Sequence, residues 1–406
     1  MFTYILLISG IGLFAFIESS GFNDLRIKKY KGLLIYITFA ILLVFIGLRY
    51  KVGADWLQYY IYYDKVESVW TILFDAKNAP YFYDHNWEPG FKLLMSLGKS
   101  AGLEFEVVIF LITAFNLYSL NRFLKQYLKT DVNLFLVLFL SLNMLREFDI
   151  LRQSLAFYIM LFAYQYINKS FIKYLLICLV AAMFHTSAVI FIPLYWFLGM
   201  RVKRNFLIFT LIAFILSLAL RLRILTILVG IMEKALPGGS AAFFLHQVKL
   251  YLDFYPVQSN INFVTMICVV FLLVLIVFYK KTTSFDQRFV VAFLIFVYLS
   301  MVLSEIGEIQ SRFGYYFTIG LAYCAWSILT LFRRYARMAY VILVVFYADV
   351  KIILPFRIEA TMLTYTPYRN YLFHLDRDER TEQEIITRHA ESQEKSKDIF
   401  NDKPTD

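Results

Sequence analysis

Apolar residues fall in long uninterrupted runs along this chain, and the polar residues between them gather in short clusters, many of them basic. Runs such as Ile261 to Tyr279 do not alternate with a period of two, so the strand pattern of a membrane barrel is excluded. They approach instead the ~20 residues that carry a helix across a bilayer. About twelve runs are present, near residues 2–18, 32–50, 105–124, 132–146, 149–167, 171–184, 186–200, 205–220, 260–279, 288–304, 314–332 and 338–354. The pattern predicts an all-α, polytopic membrane protein with about twelve transmembrane helices.

Composition agrees. At 406 residues, 60% hydrophobic and only 17% charged, the chain lacks the polar surface that a soluble protein of this size needs. A net charge of +10 would suit nucleic acid, but its distribution points elsewhere. Basic residues occupy every second loop: Arg26, Lys28, Lys29 and Lys31; Arg122, Lys125 and Lys129; Lys169 and Lys173; Arg201, Lys203 and Arg204; Lys280, Lys281 and Arg288; Arg333, Arg334 and Arg337. That is the positive-inside pattern, which puts these loops in the cytoplasm. The bilayer, and no nucleic acid, is the partner it implies.

The opposite, outer face then receives the loops near 51–104, 221–259 and 355–375 and the tight turns around Glu147, His185 and Glu308. The two runs flanking His185 are short for full crossings unless they re-enter; if only one crosses, the C-terminal half inverts. Segment 92–103 reads as an interfacial helix. Residues 1–375 form the membrane domain, and 376–406 form a charged, disordered tail. Met1 to Ile17 has no basic leader region and reads as a retained span.

Candidate chemistry lies at the outer ends of the spans. Arg49, Arg146, Arg152 and Arg312 end or begin apolar runs, and guanidinium groups so near hydrocarbon suggest a shared anionic target. Arg49 and Asp55 flank Gly53, whose missing side chain permits a sharp turn, so cation and carboxylate can converge; Arg49 reaching to the headgroups is the bland alternative. Asp149 is three residues from both Arg146 and Arg152, which would orient an arginine if one helix ran through. Glu88 precedes a Pro-Gly turn, and His185 is the histidine within the apolar core sequence, able to exchange protons near neutral pH or simply to hold a helix end. Glu308 and Arg312 have helical i, i+4 spacing. Tyr and Trp crowd the 50–91 segment, as sugar-stacking platforms or as interfacial anchors. Cys178, Cys268 and Cys324 lie in apolar runs without ligand spacing, and the one Asp-x-Asp, Asp376 and Asp378, is in the tail. No metal and no cofactor is implied.

In order, Arg-Tyr-x-Val-Gly-x-Asp-x-x-x-Tyr from Arg49, Trp-Glu-Pro-Gly-Phe from Trp87, Arg-Gln-Ser-Leu-Ala from Arg152, Phe-His-Thr-Ser-Ala from Phe184, Arg-Phe-x-x-Tyr from Arg312 and Pro-Tyr-Arg-Asn from Pro367 resemble the EpsG/Wzy-type polysaccharide polymerases. The resemblance covers roughly residues 40–375. It implies a bacterial inner-membrane enzyme, similar in architecture to GT-C-type glycosyltransferases, that joins oligosaccharide repeat units carried on undecaprenyl pyrophosphate at the outer face. A chain-length regulator and a flippase are the protein partners such an enzyme would have. Arg49, Arg152 and Arg312 would then clamp the departing pyrophosphate without a metal. Asp55, with Glu88 and His185 behind it, would take the acceptor's proton. An O-antigen-ligase-like transferase and a flippase or transporter for the same lipid-linked glycan are the competing functions.

The alternating loop charge predicts that a cysteine placed at Lys77 is labelled by an impermeant thiol reagent in intact spheroplasts, in a background without the three native cysteines. A cysteine at Lys203 is not labelled. Equal labelling of the two would contradict the topology.

Overall fold

The computed structural model describes residues 1–20, 25–235 and 263–373, with isolated positions between 245 and 252 and between 387 and 391. The side chains of residues 25–29, Phe263, Glu308 and Arg334 lie outside that description, as do the 376–406 tail and most of the 221–259 loop expected from sequence. All regular elements among the described residues are helical, and the one extended pairing is an isolated bridge between Arg49 and Asn370. Four helices are long and apolar enough to cross a membrane: Phe2–Ser19, Tyr30–Gly47, Phe105–Tyr127 and Tyr335–Arg357. A fifth span arises if Arg204–Ala219 and Ile224–Ala235, bent by 94°, count as one. Shorter apolar helices such as Gln287–Val302 and Thr318–Leu331 accompany them, so the chain is a helical membrane protein.

The chain divides into two compact units, Met1–Tyr195 with Arg333–Asp406, and Trp196–Phe332. In the first, helix α1 (Phe2–Ser19) packs on α8 (Val132–Asp149) and on Arg334–Ile353. Val132 to Leu140 are all buried, so α8 is enclosed on every side, as an element apolar all round must be. Polar side chains fix its inner end: Ser19 donates to Asp131 at 2.7 Å, Arg337 pairs with the same carboxylate, and the Asn133 amide donates to Glu18 at 2.9 Å.

Helix α2 (Leu25–Leu42) passes into a π-helical turn, Leu43–Gly47, at its C-terminal end. A wider turn at a helix end leaves carbonyls to satisfy. Asn370 Nδ2 donates to Val44 O at 3.1 Å, Tyr368 Oη to Phe45 O at 2.8 Å and Arg49 to Ile46 O at 2.7 Å. Tyr368 also stacks on Phe45, ring centres 4.2 Å apart. The Pro-Tyr-Arg-Asn motif thus caps the second span.

The outer segment folds into α3 (Trp56–Lys65), α4 (Val69–Phe74), α5 (Pro80–Asp84) and α6 (Pro89–Ser100). Ser68 caps α4, and the Glu67 carboxylate accepts the Tyr81 and Phe82 amides at 2.9 Å, opening α5. Prolines stand at the first turns of α5 and α6, where no amide hydrogen is needed. Phe91 and Met95 of α6 are buried with Tyr59, Tyr62 and Phe105, the last from α7 (Phe105–Tyr127). The segment expected as an interfacial helix is thus helical over Pro89–Ser100, with one face packed and Leu93 and Leu97 exposed on the other.

Helix α8 ends at Ile150 (φ −88°, ψ 53°), and α9 (Leu151–Met160) starts a new direction, tied back by Tyr158 Oη donating to Glu147 at 3.0 Å. Then α10 (Phe171–Ala182) and α11 (Phe191–Leu198) form a hairpin. Phe171 meets Tyr195 and Tyr174 Oη donates to Phe191 O at 2.8 Å, so the two legs are antiparallel. At 1.5 Å per residue, the 12-residue α10 rises about 18 Å, short of a ~30 Å hydrocarbon core. An antiparallel hairpin returns the chain to the side it left, so a single crossing here does not fit.

In the second unit, α12 (Arg204–Ala219) precedes α13 (Ile224–Ala235), and Gln287–Val302 packs closely on Thr318–Ile328. A Cβ at Gly320 would stand 2.4 Å from Phe293 N and 2.8 Å from Phe289 O, which are backbone atoms unable to yield. Small residues let membrane helices approach in this way. Gly320→Ala should therefore destabilise the protein by about 1–3 kcal/mol through overpacking, seen as a lower Tm in detergent. Gly230→Ala, with nothing within 4 Å of the added carbon, should leave Tm unchanged or slightly raised; equal effects of the two would contradict the close packing.

Candidate functional site

Three segments distant in sequence meet at the carboxylate of Glu88, which sits just before Pro89 where α6 begins. Its Oε2 accepts from Arg152 Nη1 at 2.5 Å, and its Oε1 accepts from the Thr186 amide at 3.0 Å and the Thr186 hydroxyl at 3.2 Å. The Arg152 guanidinium lies over the Trp87 ring, 4.9 Å from its centre, and Trp87 packs on Tyr59 and Tyr62. The tip of the hairpin is held by a second contact, the Gly90 amide donating to Met183 O at 2.8 Å. A Cβ on Gly90 would stand 2.8 Å from that oxygen, so a glycine is required for the approach.

Burial pushes the Glu88 carboxyl up, but the Thr186 amide, the Arg152 charge and His185 outweigh it and hold the group below the usual carboxylate range. Glu88 is thus ionised with both oxygens engaged, suited to orient Arg152 more than to take a proton. Arg152 Nε is buried without a hydrogen-bond partner among the described residues, leaving the guanidinium with donor capacity.

His185 stands one residue before Thr186, half-buried, with Nδ1 2.6 Å from Ser187 Oγ and 3.4 Å from the Ser187 amide. An amide hydrogen pointing at Nδ1 makes that nitrogen an acceptor, so the neutral ring carries its proton on Nε2.

Arg49 is 2% exposed. Besides Ile46 O it reaches Phe148 O at 3.3 Å, and its guanidinium lies 5.3 Å from the centre of the Phe148 ring. Gly53, at φ +124°, makes the sharp turn expected of it, and a Cβ there would stand 2.8 Å from Phe148 O. The turn delivers the Ala54 amide to Asp149 Oδ1 at 2.6 Å, while Asp149 Oδ2 accepts from Tyr365. The expectation that Asp149 would stand between Arg146 and Arg152 on one continuous helix is corrected here. The helix breaks at Ile150, Asp149 is taken up by the 53–54 turn and Tyr365, and Arg152 turns to Glu88.

Asp55 precedes α3 half-buried, and its carboxylate does not cap that helix. Its charge acts on groups of both clusters: Asp149 and Tyr365 on one side and Tyr59, beside Arg152, on the other. Burial first, with Asp55 adding, pushes the Tyr59 hydroxyl up to about 12. Asp55 thus lies in the neighbourhood of both arginine centres of this unit.

In the other unit, Arg312 is exposed on the helix Gly307–Tyr315, and the side chain of Glu308 lies outside the described residues. Glu305 is engaged elsewhere: it accepts the Leu225 amide at 2.7 Å and the Thr226 amide at 3.1 Å and pairs with Arg223 at 3.3 Å, closing the start of α13. Among the described residues no three of His, Cys, Asp and Glu gather as metal ligands would.

Sequence reasoning missed Thr186 and Tyr365. Thr186 carried a signal, since it lies inside the Phe-His-Thr-Ser-Ala motif; a threonine hydroxyl and amide do not announce themselves as a carboxylate's anchor. Tyr365 carried none beyond its place just before the last motif.

The family model described as the EpsG family matches residues 32–370 of this chain. No curated protein and no solved structure matches it.

Because Glu88 and Arg152 share one network, a double-mutant cycle of Glu88→Ala and Arg152→Ala should give a coupling energy of about 1–3 kcal/mol. The measurement is unfolding of purified protein in detergent. Simple additivity of the two losses would mean that the pair is not formed in the folded protein.

Proposed function

The chain belongs to the EpsG family, and from that footing we propose that it polymerises undecaprenyl-pyrophosphate-linked oligosaccharide repeat units into a surface polysaccharide at the outer face of the bacterial inner membrane. The family suggests a polysaccharide polymerase, and the apolar helices agree with a membrane enzyme acting on a lipid-linked substrate. The single observation that supports the site is the meeting of Glu88, Arg152 and Thr186, from three separate motifs, in one charged centre. We further propose about twelve crossings in a GT-C-like arrangement, counting the shorter apolar helices, and service by a flippase and a chain-length regulator.

In the proposed reaction the acceptor sugar's hydroxyl attacks the anomeric carbon of the donor. The new glycosidic bond forms as the bond to the lipid pyrophosphate breaks, and the pyrophosphate leaves with the electron pair. A planar guanidinium held in place by a carboxylate and an aromatic face is organised before the charge develops, which is where electrostatic stabilisation is most effective. Arg152 is the principal cation of this clamp. Arg49 adds positive charge from its buried position, and Arg312, the third cation expected from the sequence, lies in the other unit. Pyrophosphate leaves readily, so no general acid is needed. Asp55 is the proposed base, His185 the alternative, and Glu88 chiefly orients Arg152.

Arg152→Lys keeps the charge and loses the fork, so it should lower polymer formation by about 10²-fold at unchanged protein level, whereas Arg201→Lys should be silent. Asp55→Asn should reduce turnover by about 10²–10⁴-fold while purified protein still captures the lipid-linked repeat; Glu88→Gln and His185→Gln are run in parallel. Glycan length is read on gels. Normal polymer from Arg152→Lys would remove the clamp role, and normal polymer from Asp55→Asn would move the base elsewhere.

A further inference from the structure

Next to the charged centre lies a cavity of about 450 Å³ between α6, α7, α9 and the tip of the hairpin. All its lining side chains are apolar. Leu155, Ile159 and Phe184 line it, and its exposed lining residues, Leu97, Leu111 and Phe115, mark the opening. Leu111 is 51% exposed and Leu97 47%, on helices whose other faces are buried. The wall and the charged centre are continuous through the chain. Leu155 lies one helical turn after Arg152 on α9, so the two share a face. Phe184 is two residues before Thr186, whose amide and hydroxyl hold Glu88.

We infer that this cavity receives the first isoprene units of the substrate's polyprenyl chain, placing the attached pyrophosphate beside Arg152. The inference rests on the reading of the substrate as a polyprenyl-linked glycan. A slot lined by apolar residues, with a guanidinium one helical turn along α9 from its wall residue Leu155, matches an apolar chain that carries an anionic head. A polyprenyl chain gains little by leaving lipid for an equally apolar cavity, because both are hydrocarbon-like. The cavity therefore acts by shape and position: it fixes where the pyrophosphate stands. A free sugar nucleotide, wholly polar, has no use for it.

The test uses full-length protein in proteoliposomes and a photoreactive undecaprenyl pyrophosphate with its diazirine near the head. Labelling should map to residues 94–115 and 155–159 and be competed by unlabelled undecaprenyl pyrophosphate but not by excess phosphatidylglycerol. Leu111→Trp, at the mouth, should reduce labelling severalfold, as should the independent variant Leu97→Trp. Tyr118→Trp, exposed on the same helix and away from the cavity, should not. Labelling that maps to other helices, that persists in both mouth variants, or that phosphatidylglycerol competes away would overturn the inference, the last by making the occupant a bilayer lipid. Wild-type protein that shows the expected labelling but yields no polymer would retire the polymerase reading and leave the tail site standing.

Discussion

The charged centre of the first unit depends on one carboxylate. Glu88 joins Arg152 of α9 and Thr186 of the hairpin tip to the start of α6, so three elements that also pack through apolar side chains share a single ionic centre. An arginine so placed would otherwise leave a desolvated charge, and the hairpin tip would keep only its backbone contact to Gly90. Trp87 beneath the guanidinium and the Gly90 contact to Met183 limit the ways in which the pair can shift. Rigidity of that kind is what an anion-stabilising site needs, since donors already in place do not have to reorganise as charge develops.

The second arginine has a different task in the fold. Arg49, with Tyr368 and Asn370, satisfies carbonyls that the π-helical turn releases at the end of the second span. Motifs from opposite ends of the matched region thus meet over one helix terminus. The same terminus leads through Gly53 to Asp149, and Asp55 lies within electrostatic reach of both this cluster and Tyr59 beside Arg152.

Much of this was legible in the sequence, for identifiable reasons. Long apolar runs give helices directly, because hydrocarbon does not tolerate unpaired backbone. Gly53 announced its turn, and the Trp-Glu-Pro-Gly-Phe stretch announced a fixed carboxylate. Partnerships were not legible. Arg152 stood near Asp149 in sequence and pairs with Glu88, 64 residues away, because the break at Ile150 turns the two apart. Glu305 was not singled out by spacing at all, yet it closes the start of α13 with Arg223. Local spacing proposes pairs, whereas the paths of the helices decide them.

The central claim, that this chain extends lipid-linked repeat units, is tested most directly by profiling the glycans of a deletion strain, complemented with the wild-type chain or with Arg152→Lys. The account predicts single repeat units left on the lipid anchor in the deletion, long polymer restored by the wild type, and single units persisting with the variant. Untransferred polymer accumulating on the carrier in the deletion strain would contradict it and identify a ligase instead.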